Sequence, residues 1–265
     1  MASGVSTPAG VAGVVLAAGL GTRLRPLTDL RPKALCPVAN VALVDLALAR
    51  IGGLCSEVAV NVHAGRAAME EHLARAGRPV HVSVEEPEPL GTAGALGRLR
   101  PWVAGRAVLV ANADAWHRFD LSRLVDGWDG ERIRLLVVRD EARGDFGPWR
   151  YIGSALMPST EVEQLAPVPS GLYETSWAAA AAAGRLELVP AGDGPFFDCG
   201  RPDTYLAANL AASGGVSVIG PGAVVEGEVI RSVVWPDAVV AAGERLVECI
   251  RAGSDVTVAA PQPPV

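Results

Sequence analysis

Residues 11–35 read VAGVVLAAGLGTRLRPLTDLRPKAL, in which a continuous apolar run enters a glycine loop. The apolar run has the pattern of a strand buried on both faces, as in a parallel sheet covered by helices. Gly19 and Gly21 let backbone N–H groups approach an anion closely. Arg23 and Lys33 add positive charge beside these amides, so the segment predicts a polyphosphate site.

Downstream of this segment, apolar runs alternate with helical stretches. Strands are predicted at Glu57–Asn61, Val80–Glu85, Ala107–Val110, Ile133–Arg139, Tyr151–Leu156, Leu186–Val189 and Phe196–Asp198. Helices are predicted at Val44–Ile51, Arg66–Ala76, Ala93–Leu99, Leu121–Trp128, Leu172–Ala183 and Pro202–Ala212. This alternation indicates an α/β fold, a Rossmann-like mixed and mostly parallel sheet that is flanked by helices.

The composition changes at Ser213. Branched apolar residues then recur about every six positions, at Ile219, Val225, Val234, Val240 and Leu246. This spacing resembles the hexapeptide repeat of a left-handed β-helix, although Glu228–Ser232 interrupts it and ordinary β-hairpins are an alternative. We expect an α/β domain over residues 1–212, a short β-helix-like tail over 213–258 and a disordered terminus over 259–265.

Composition excludes several classes of protein. The chain has 265 residues and a net charge of −6, which argues against binding nucleic acid through bulk charge. The apolar run near residue 11 is too short to cross a bilayer, so no membrane contact is expected. The four cysteines form no CxxC pair and the four histidines show no metal-ligand spacing. These features predict a cytoplasmic protein.

The basic residues are 22 arginines and a single lysine, Lys33. An ammonium is a compact point charge on a flexible stem, whereas a guanidinium is a rigid planar fork. Lys33 therefore marks a position where arginine does not suffice, or it reflects coding bias.

Two other phosphate-binding motifs do not fit the glycine loop. The dinucleotide-binding fingerprint needs a third glycine where this chain has Leu24. The P-loop needs a lysine directly after its last glycine, and Lys33 lies well downstream of Gly21.

Gly19–Thr28 and Pro32–Leu35 resemble the signature of the sugar-1-phosphate nucleotidyltransferases, in which Gly-x-Gly-Thr-Arg-Leu-x-Pro-Leu-Thr precedes Pro-Lys-x-Leu. The resemblance extends over most of residues 11–212, which it identifies as a catalytic domain. It implies that a nucleoside triphosphate and a sugar 1-phosphate are the substrates, with Arg23 and Lys33 as catalytic residues. It also implies a set of nucleotide-binding residues: Leu16, Ala17, Ala18, Gly19, Gly21 and Thr22.

Three later segments extend the resemblance. In Pro89–Leu96 it implies that Gly91 and Thr92 lie against the nucleoside, and Gly91 and Gly94 would allow a flat ring to lie against the backbone. Thr92 is also a candidate helix cap. Asp114 follows a strand at the position that holds Mg²⁺ in the family, and we count it as both a metal ligand and a catalytic residue. Asp198 completes the metal site, although Arg201 stands where the family usually has Thr.

The acceptor half of the site departs from the family. Many members hold the sugar phosphate with a Glu-Lys-Pro segment, where this chain has Asp145–Arg150 and no lysine. Gly153, in a segment similar to the family's aromatic-x-Gly strand, and Glu174 are candidates for contacting the sugar. Arg150 is a candidate substitute for the missing cation.

The resemblance predicts an Mg²⁺-dependent nucleotidyltransferase in which a sugar 1-phosphate attacks the α-phosphorus of the triphosphate. The attacking oxygen of the sugar 1-phosphate is already anionic, so the reaction needs no general base, and the sequence shows no candidate for one. The motifs favour mannose 1-phosphate and GTP. The alternatives are uridylyl transfer to N-acetylmuramate or glucose 1-phosphate, a non-catalytic nucleotide-sugar sensor, or a non-sugar acceptor such as phosphocholine. The tail is a candidate contact for a homo-oligomer.

Overall fold

A computed structural model of the chain describes residues 10–261. Within this range the strands are β1 Val11–Leu16, β2 Pro37–Val38, β3 Val41–Ala42, β4 Glu57–Val62, β5 Val80–Val84, β6 Ala107–Asn112, β7 Ala115–His117, β8 Ile133–Arg139, β9 Trp149–Met157, β10 Leu186–Pro190, β11 Phe196–Asp198, β12 Val218–Ile219, β13 Val224–Val225, β14 Glu228–Ile230, β15 Val233–Val234, β16 Val239–Val240, β17 Arg245–Val247, β18 Cys249–Ala252 and β19 Val256–Ala259.

The helices are α1 Leu27–Leu30, α2 Leu43–Gly52, α3 Arg66–Ala74, α4 Gly91–Val103, α5 Ser122–Val125, α6 Ser159–Val162, α7 Ala178–Ala182 and α8 Pro202–Ala212. Single 3₁₀ turns lie at Thr22–Leu24 and Lys33–Leu35, and a π-helical turn spans Tyr173–Trp177. The alternation of strands and helices predicted from the sequence is present. Helix α4 is longer than predicted, and β7 and the β2–β3 hairpin had no signal in the sequence.

The described residues form two compact units. Unit 1 contains residues 10–19, Ala47–Ala113 and Arg118–Gly194, and unit 2 contains Leu20–Leu46, Asp114–His117 and residues 195–261. This division differs from the predicted boundary at residue 212, because the tail groups with segments from the middle and the beginning of the chain.

Unit 1 is built on a mixed, mostly parallel sheet. Its order is β10-β8-β9-β6-β1-β4-β5, and of these seven described strands only β9 runs antiparallel to its neighbours. The predicted fold class is confirmed. Val14, Val110 and Leu135 lie in a buried cluster with residues of α4 and α7, which explains why the central strands are continuously apolar.

Unit 2 contains the predicted β-helix-like segment. Strand β12 pairs in parallel with β15, and β15 with β18, while β13 pairs with β16 and β14 with β17. Parallel stacking of successive short strands is the pairing of a coil, so the hairpin alternative is wrong for these strands. The final strand β19 returns antiparallel to β18.

The predicted six-residue repeat holds only in part. Val234, Val240 and Leu246 are buried in the coil, but Ile219 and Val225 on the first turn are exposed. Glu228–Ser232 does not interrupt the coil, because β14 lies within it and Ser232 is buried.

The expectation that residues 259–265 are disordered is wrong for Ala259 and Ala260. Ala259 ends β19, and Ala260 is buried and donates its N–H to the Glu248 carbonyl. The predicted disorder of residues 262–265 falls outside the described residues.

One buried cluster in unit 2 joins the tail to the segment that carries the signature. Leu24 and Leu27 belong to the same cluster as Tyr205, Trp235 and Ile250. The Tyr205 hydroxyl donates to the Pro37 carbonyl and accepts from Trp235 Nε1 at 3.0 Å. The tail is therefore part of the core that supports the glycine loop.

No helix among the described residues is long and apolar enough to cross a membrane. Within the described residues, Cys36, Cys55, Cys199 and Cys249 are not joined in disulfides. Burial raises the pKa of the Cys36 thiol and of the Cys55 thiol to about 12, which makes both poor nucleophiles.

Replacing Tyr205 by Phe should destabilise unit 2 because it leaves the buried Trp235 N–H without its acceptor. We expect the free energy of unfolding, measured by urea denaturation, to fall by about 1–3 kcal/mol. Tyr173→Phe is the control, since Tyr173 is 45% exposed. Equal effects of the two substitutions would contradict this account.

Candidate active site

A cluster of charged side chains in unit 2 contains four residues that the sequence singled out. The Lys33 ammonium is ion-paired with Asp114 and lies 3.9 Å from Asp198 Oδ1. Arg23 Nη2 lies 3.8 Å from Asp198 Oδ2. The Lys33 side chain is only 11% exposed, so its charge is largely removed from water and depends on these carboxylates.

Two short strands bring the carboxylates together. Strand β7 begins directly after Asp114, and it pairs antiparallel with β11, in which Asp198 lies opposite Ala115. The Cys199 N–H also donates to the Asp114 carbonyl at 2.9 Å. The two aspartates, far apart in the sequence, are thereby held on adjacent backbone.

The signature loop positions the cationic side chains of Arg23 and Lys33. Gly21 has a φ of +66°, and a Cβ there would lie 2.8 Å from Thr28 Cγ2 and 3.0 Å from Lys33 Cβ. The Thr28 hydroxyl donates to the Gly21 carbonyl at 2.9 Å. Thr22 and Arg23 lie in the 3₁₀ turn that follows, and Lys33 begins the next one. Glycine is therefore required at position 21 both for its backbone and for the packing of the loop.

Gly200 is a close-approach position that the sequence analysis did not single out. A Cβ on it would lie 2.8 Å from Asp198 Oδ1, 3.0 Å from Arg23 Nη2 and 3.2 Å from Lys33 Nζ. Any larger residue would push against three of the four charged side chains. The lack of a side chain at Gly200 therefore lets these three polar groups lie close together.

The cluster fits a divalent cation. Asp198 Oδ1 is buried and has no hydrogen-bond partner within the described chain, which is costly unless another group occupies its lone pairs. Residues 10–261 contain no group of three or more His, Cys, Asp or Glu side chains that would form a protein-only metal cage. Mg²⁺ commonly uses one or two carboxylates and takes its other ligands from phosphates and water. Asp114 and Asp198 meet that requirement.

An open cavity of about 590 Å³ lies beside the cluster in unit 2. Its described lining is Arg23, Arg201, Pro202, Asp203 and 259–261. The Arg201 guanidinium is held by both oxygens of Asp203, each at 3.1 Å. Two guanidinium groups at one cavity favour an anionic ligand.

In unit 1, hydrogen bonds connect the residues before the glycine loop to the Pro89–Leu96 segment. Leu16 ends β1, and Ala17, Ala18 and Gly19 follow it without regular structure. The Ala17 N–H donates to Asn61 Oδ1 at 2.6 Å, and Asn61 Nδ2 donates to Glu85 Oε1 at 2.8 Å.

Glu85 Oε2 then accepts the Leu90 N–H at 2.7 Å, one residue before Gly91. Sequence reasoning missed both Asn61 and Glu85. The available signal was an Asn inside an otherwise apolar strand, which needs a partner when buried.

The glycines and Thr92 of the Pro89–Leu96 segment make packing contacts and a hydrogen bond that the sequence did not predict. A Cβ on Gly91 would lie 2.5 Å from the Ser170 carbonyl oxygen, and one on Gly94 would lie 2.2 Å from that of Val168. The lack of side chains at these glycines lets α4 pack closely against the 166–171 chain, and the nucleoside contact stays a prediction. Thr92 does not cap α4 with its side chain, because its hydroxyl accepts the Leu172 N–H at 2.8 Å.

The candidate sugar-contacting residues lie on two linked segments of unit 1. Gly153 has a φ of +84° where β9 shifts register against β8, and such bulges are frequent beside active sites. Glu174 is exposed on the π-helical turn. The rings of Tyr151 and Trp177 contact each other edge-on at 4.8 Å between centroids and connect the two segments. Arg150 Nη1 lies 3.5 Å from Asp140 Oδ2.

Comparison with solved structures shows the class of fold. A putative glucose-1-phosphate thymidylyltransferase from Bacillus anthracis matches with a TM-score of 0.67, over 76% of this chain and 95% of that one, at 18% identity. This chain has the α/β fold of a nucleotidyltransferase.

Comparison of sequences shows the family. Residues 12–147 match the family model described as nucleotidyl transferase. An N-acetylmuramate alpha-1-phosphate uridylyltransferase of Caulobacter vibrioides is 32% identical over 231 residues, 74% of this chain and 94% of that protein. A mannose-1-phosphate guanylyltransferase of Mycobacterium tuberculosis is 32% identical over 131 residues, 48% of this chain and 36% of that protein. The chain belongs to the sugar-1-phosphate nucleotidyltransferases, as the signature indicated.

Replacing Gly200 by Ala should reduce turnover because the new methyl group displaces the charged side chains around it. We expect about a 10- to 100-fold loss, since small displacements of catalytic groups have effects of this size. Gly77→Ala is the matched control, because a Cβ there meets nothing within 4 Å. The measurement is pyrophosphate release, with thermal unfolding alongside. Unchanged turnover in Gly200→Ala would show that the cluster tolerates displacement.

Proposed function

We propose that this sugar-1-phosphate nucleotidyltransferase transfers a uridylyl group from UTP to N-acetylmuramate 1-phosphate and releases pyrophosphate. The observation that supports the reaction is the convergence of Arg23, Lys33, Asp114 and Asp198 in one cluster. The loss of any of them would be the mark of a non-catalytic sensor, and all are present.

The choice of substrates rests on the extent of the similarity. The Caulobacter uridylyltransferase is matched over 94% of its length, whereas the mycobacterial guanylyltransferase is matched over 36%. Transfer of a guanylyl group to mannose 1-phosphate, which the motifs favoured, is the second candidate. A Dictyostelium discoideum mannose-1-phosphate guanylyltransferase subunit supports it, at 26% identity over 73% of this chain.

The proposed reaction is an in-line displacement at phosphorus. An oxygen of the sugar phosphate forms a bond to the α-phosphorus, and the bond from that phosphorus to the oxygen of the β-phosphate breaks. The electron pair leaves with pyrophosphate. The main barrier is the approach of two anions and the growth of charge on the leaving group, so positioning and electrostatic neutralisation carry the catalysis.

The charged cluster supplies these two effects. We assign Lys33 to the reacting phosphates, because its ammonium is held beside Asp114 and Asp198, the proposed metal ligands. Asp114 and Asp198 would hold Mg²⁺, which when bound supplies positive charge to the α-phosphate. Arg23 is assigned to the β- and γ-phosphates, together with the loop amides of Gly21 and Thr22.

The cavity beside the cluster is the proposed place of the departing pyrophosphate. Arg23 and Arg201 both line it. The described cluster with its cavity has three cationic side chains, Arg23, Lys33 and Arg201, which are balanced by three aspartates. Its formal charge is zero, so a divalent cation would add two positive charges and make the site attractive to a polyanion.

The remaining predicted residues form the proposed nucleoside and sugar contacts. The loop Leu16–Gly19 and residues Gly91 and Thr92 are assigned to the nucleotide. Gly153 and Glu174 are assigned to the sugar, with Arg150 as the nearby cation. The cytoplasmic location also stays a prediction.

The first experiment is a pyrophosphate-release assay with Mg²⁺. It crosses UTP, GTP, dTTP, ATP and CTP with the 1-phosphates of N-acetylmuramate, mannose, glucose and N-acetylglucosamine. We expect release to require both substrates, to be greatest with UTP and N-acetylmuramate 1-phosphate, and to vanish in Asp114→Ala and on chelation of the metal. Greatest release with GTP and mannose 1-phosphate would favour the second candidate.

Lys33→Ala should lower kcat by about 10²–10³-fold in this assay, the usual effect of removing one preorganised charge from a reacting centre. Arg25→Ala is the matched control. Arg25 belongs to the same loop and is paired with Asp29, but it does not join the cluster. Near-normal turnover of the Lys33 variant would remove this residue from the mechanism.

The tail is also the proposed contact between copies of the enzyme. Within the described chain, β12, β13 and β14 have a partner strand on one side only. Exposed apolar residues lie on or next to these strands: Val216, Ile219, Val224 and Val225. A second copy would cover this edge.

Val224→Lys should disrupt that contact, because a lysine on a strand edge opposes pairing. We expect the mass from light scattering to fall to that of a monomer. Val168→Lys, at an equally exposed valine of unit 1, should leave it unchanged. A monomeric wild-type protein would contradict the proposal. Deleting the tail is a poor test because the tail contributes to the core of unit 2.

A further inference from the structure

We propose that Asn61 and Glu85 are a positioning pair that holds the two nucleotide-contacting loops of unit 1 in register with each other. The inference rests on the proposed function, in which those loops bind the nucleoside triphosphate. Neither side chain is assigned a contact with substrate. Their effect on nucleotide binding would pass through the backbone of Ala17 and Leu90.

The pair forms a continuous chain of hydrogen bonds between the loops. The Ala17 N–H, one residue beyond β1, donates to Asn61 Oδ1 at 2.6 Å. Asn61 Nδ2 donates to Glu85 Oε1 at 2.8 Å, and the Leu90 N–H donates to Glu85 Oε2 at 2.7 Å. Three bonds thus connect the start of one motif to the start of the other.

Burial makes this connection specific. Asn61 is 3% exposed and Glu85 is fully buried. A buried carboxylate and amide are costly unless their polar atoms are bonded, so this arrangement is strongly preferred over any other local one. Asn61 lies in β4 opposite Leu16 of β1 and Ser83 of β5, so the pair is anchored in the rigid part of the sheet.

The pair is not needed merely to fill space. Apolar residues of similar volume fill a core at equal or lower cost than buried charged groups. The distinctive property of this pair is the direction of its bonds. Glu85 accepts two N–H donors, one on each oxygen, and a carboxylate offers an acceptor at both positions whereas an amide offers one acceptor and one donor. The partners therefore dictate a carboxylate at position 85 as long as position 61 is an amide.

Because each bond has a fixed donor and acceptor, the proposal can be tested by exchanging the amide and the carboxylate between positions 61 and 85. In Glu85→Gln one terminal atom becomes an NH₂ group that faces an N–H donor. In Asn61→Asp two carboxylates face each other. In the double variant N61D/E85Q, the carboxylate introduced at position 61 could accept from the Ala17 N–H and from the new amide, whose own oxygen accepts from Leu90. Every bond is restored, with the negative charge moved from position 85 to position 61.

The experiment measures kcat, the KM for UTP and the KM for the sugar phosphate, with the melting temperature, for the wild type, both single variants and the double variant. We expect each single variant to raise the KM for UTP about tenfold or more, the order of one unsatisfied buried hydrogen bond. The KM for the sugar phosphate should change less than about threefold, and the double variant should regain wild-type values within about threefold.

Ser83→Ala is the matched control, because Ser83 is a buried polar residue beside Asn61 in the same sheet and is not part of the chain of bonds. It should leave the KM for UTP unchanged. If the single variants do not fold, the double variant is compared directly with the wild type. A soluble double variant with a normal KM for UTP supports the pair, and one with a KM raised more than about tenfold overturns it.

Single variants that lower the melting temperature but leave the KM for UTP unchanged would reduce the pair to a structural role and overturn the proposal. Titration calorimetry with UTP, and with GTP in parallel, separates this from failure of the proposed function. A wild-type protein that binds neither nucleotide would overturn both. A wild type that binds UTP with the same affinity as every variant would overturn the positioning pair alone.

Discussion

The ion pair between Lys33 and Asp114 is the constraint on which the architecture of unit 2 depends. An ammonium that is nearly withdrawn from water must be matched by carboxylates, and these come from two distant parts of the chain. The pairing of β7 with β11 brings Asp114 and Asp198 next to Lys33. Position 200 is a glycine because the charged side chains of the cluster fill the space where a side chain would lie. A local sequence feature, the single lysine, therefore has long-range structural consequences.

The two units hold their candidate binding elements by different means. In unit 2, opposite charges face each other across short, irregular segments, and a bound cation and polyanion would change that balance. In unit 1, the loops are fixed by directional hydrogen bonds that begin in a regular sheet. The proposed chemistry of transfer and the proposed recognition of the nucleotide thus rest on separate kinds of interaction, which can be altered independently by substitution.

The sequence predicted the features that are carried by contiguous segments. The alternating strands indicated the sheet, and the signature together with two strand-end aspartates indicated the charged cluster. The Asn61–Glu85 pair escaped because its partners are far apart in the chain and neither residue belongs to a motif. The packing role of Gly94 was missed for a related reason: the backbone it packs against, at Val168, comes much later in the chain. The tail was recognised by its spacing, but the spacing did not show that Ile219 and Val225 are exposed while Val234 and Val240 are buried.

The shared core of unit 2 also has a consequence for how the protein is made. Leu24 and Leu27, which lie in the signature loop between Arg23 and Lys33, pack in one cluster with Trp235 and Ile250. Trp235 and Ile250 are synthesised long after the loop, and until then the loop lacks its supporting surface. The sheet of unit 1 has all of its strands by residue 190 and can form earlier. The nascent chain would therefore form the candidate nucleotide-binding loops of unit 1 before the charged cluster of unit 2, which gains its full support only once the tail has been synthesised.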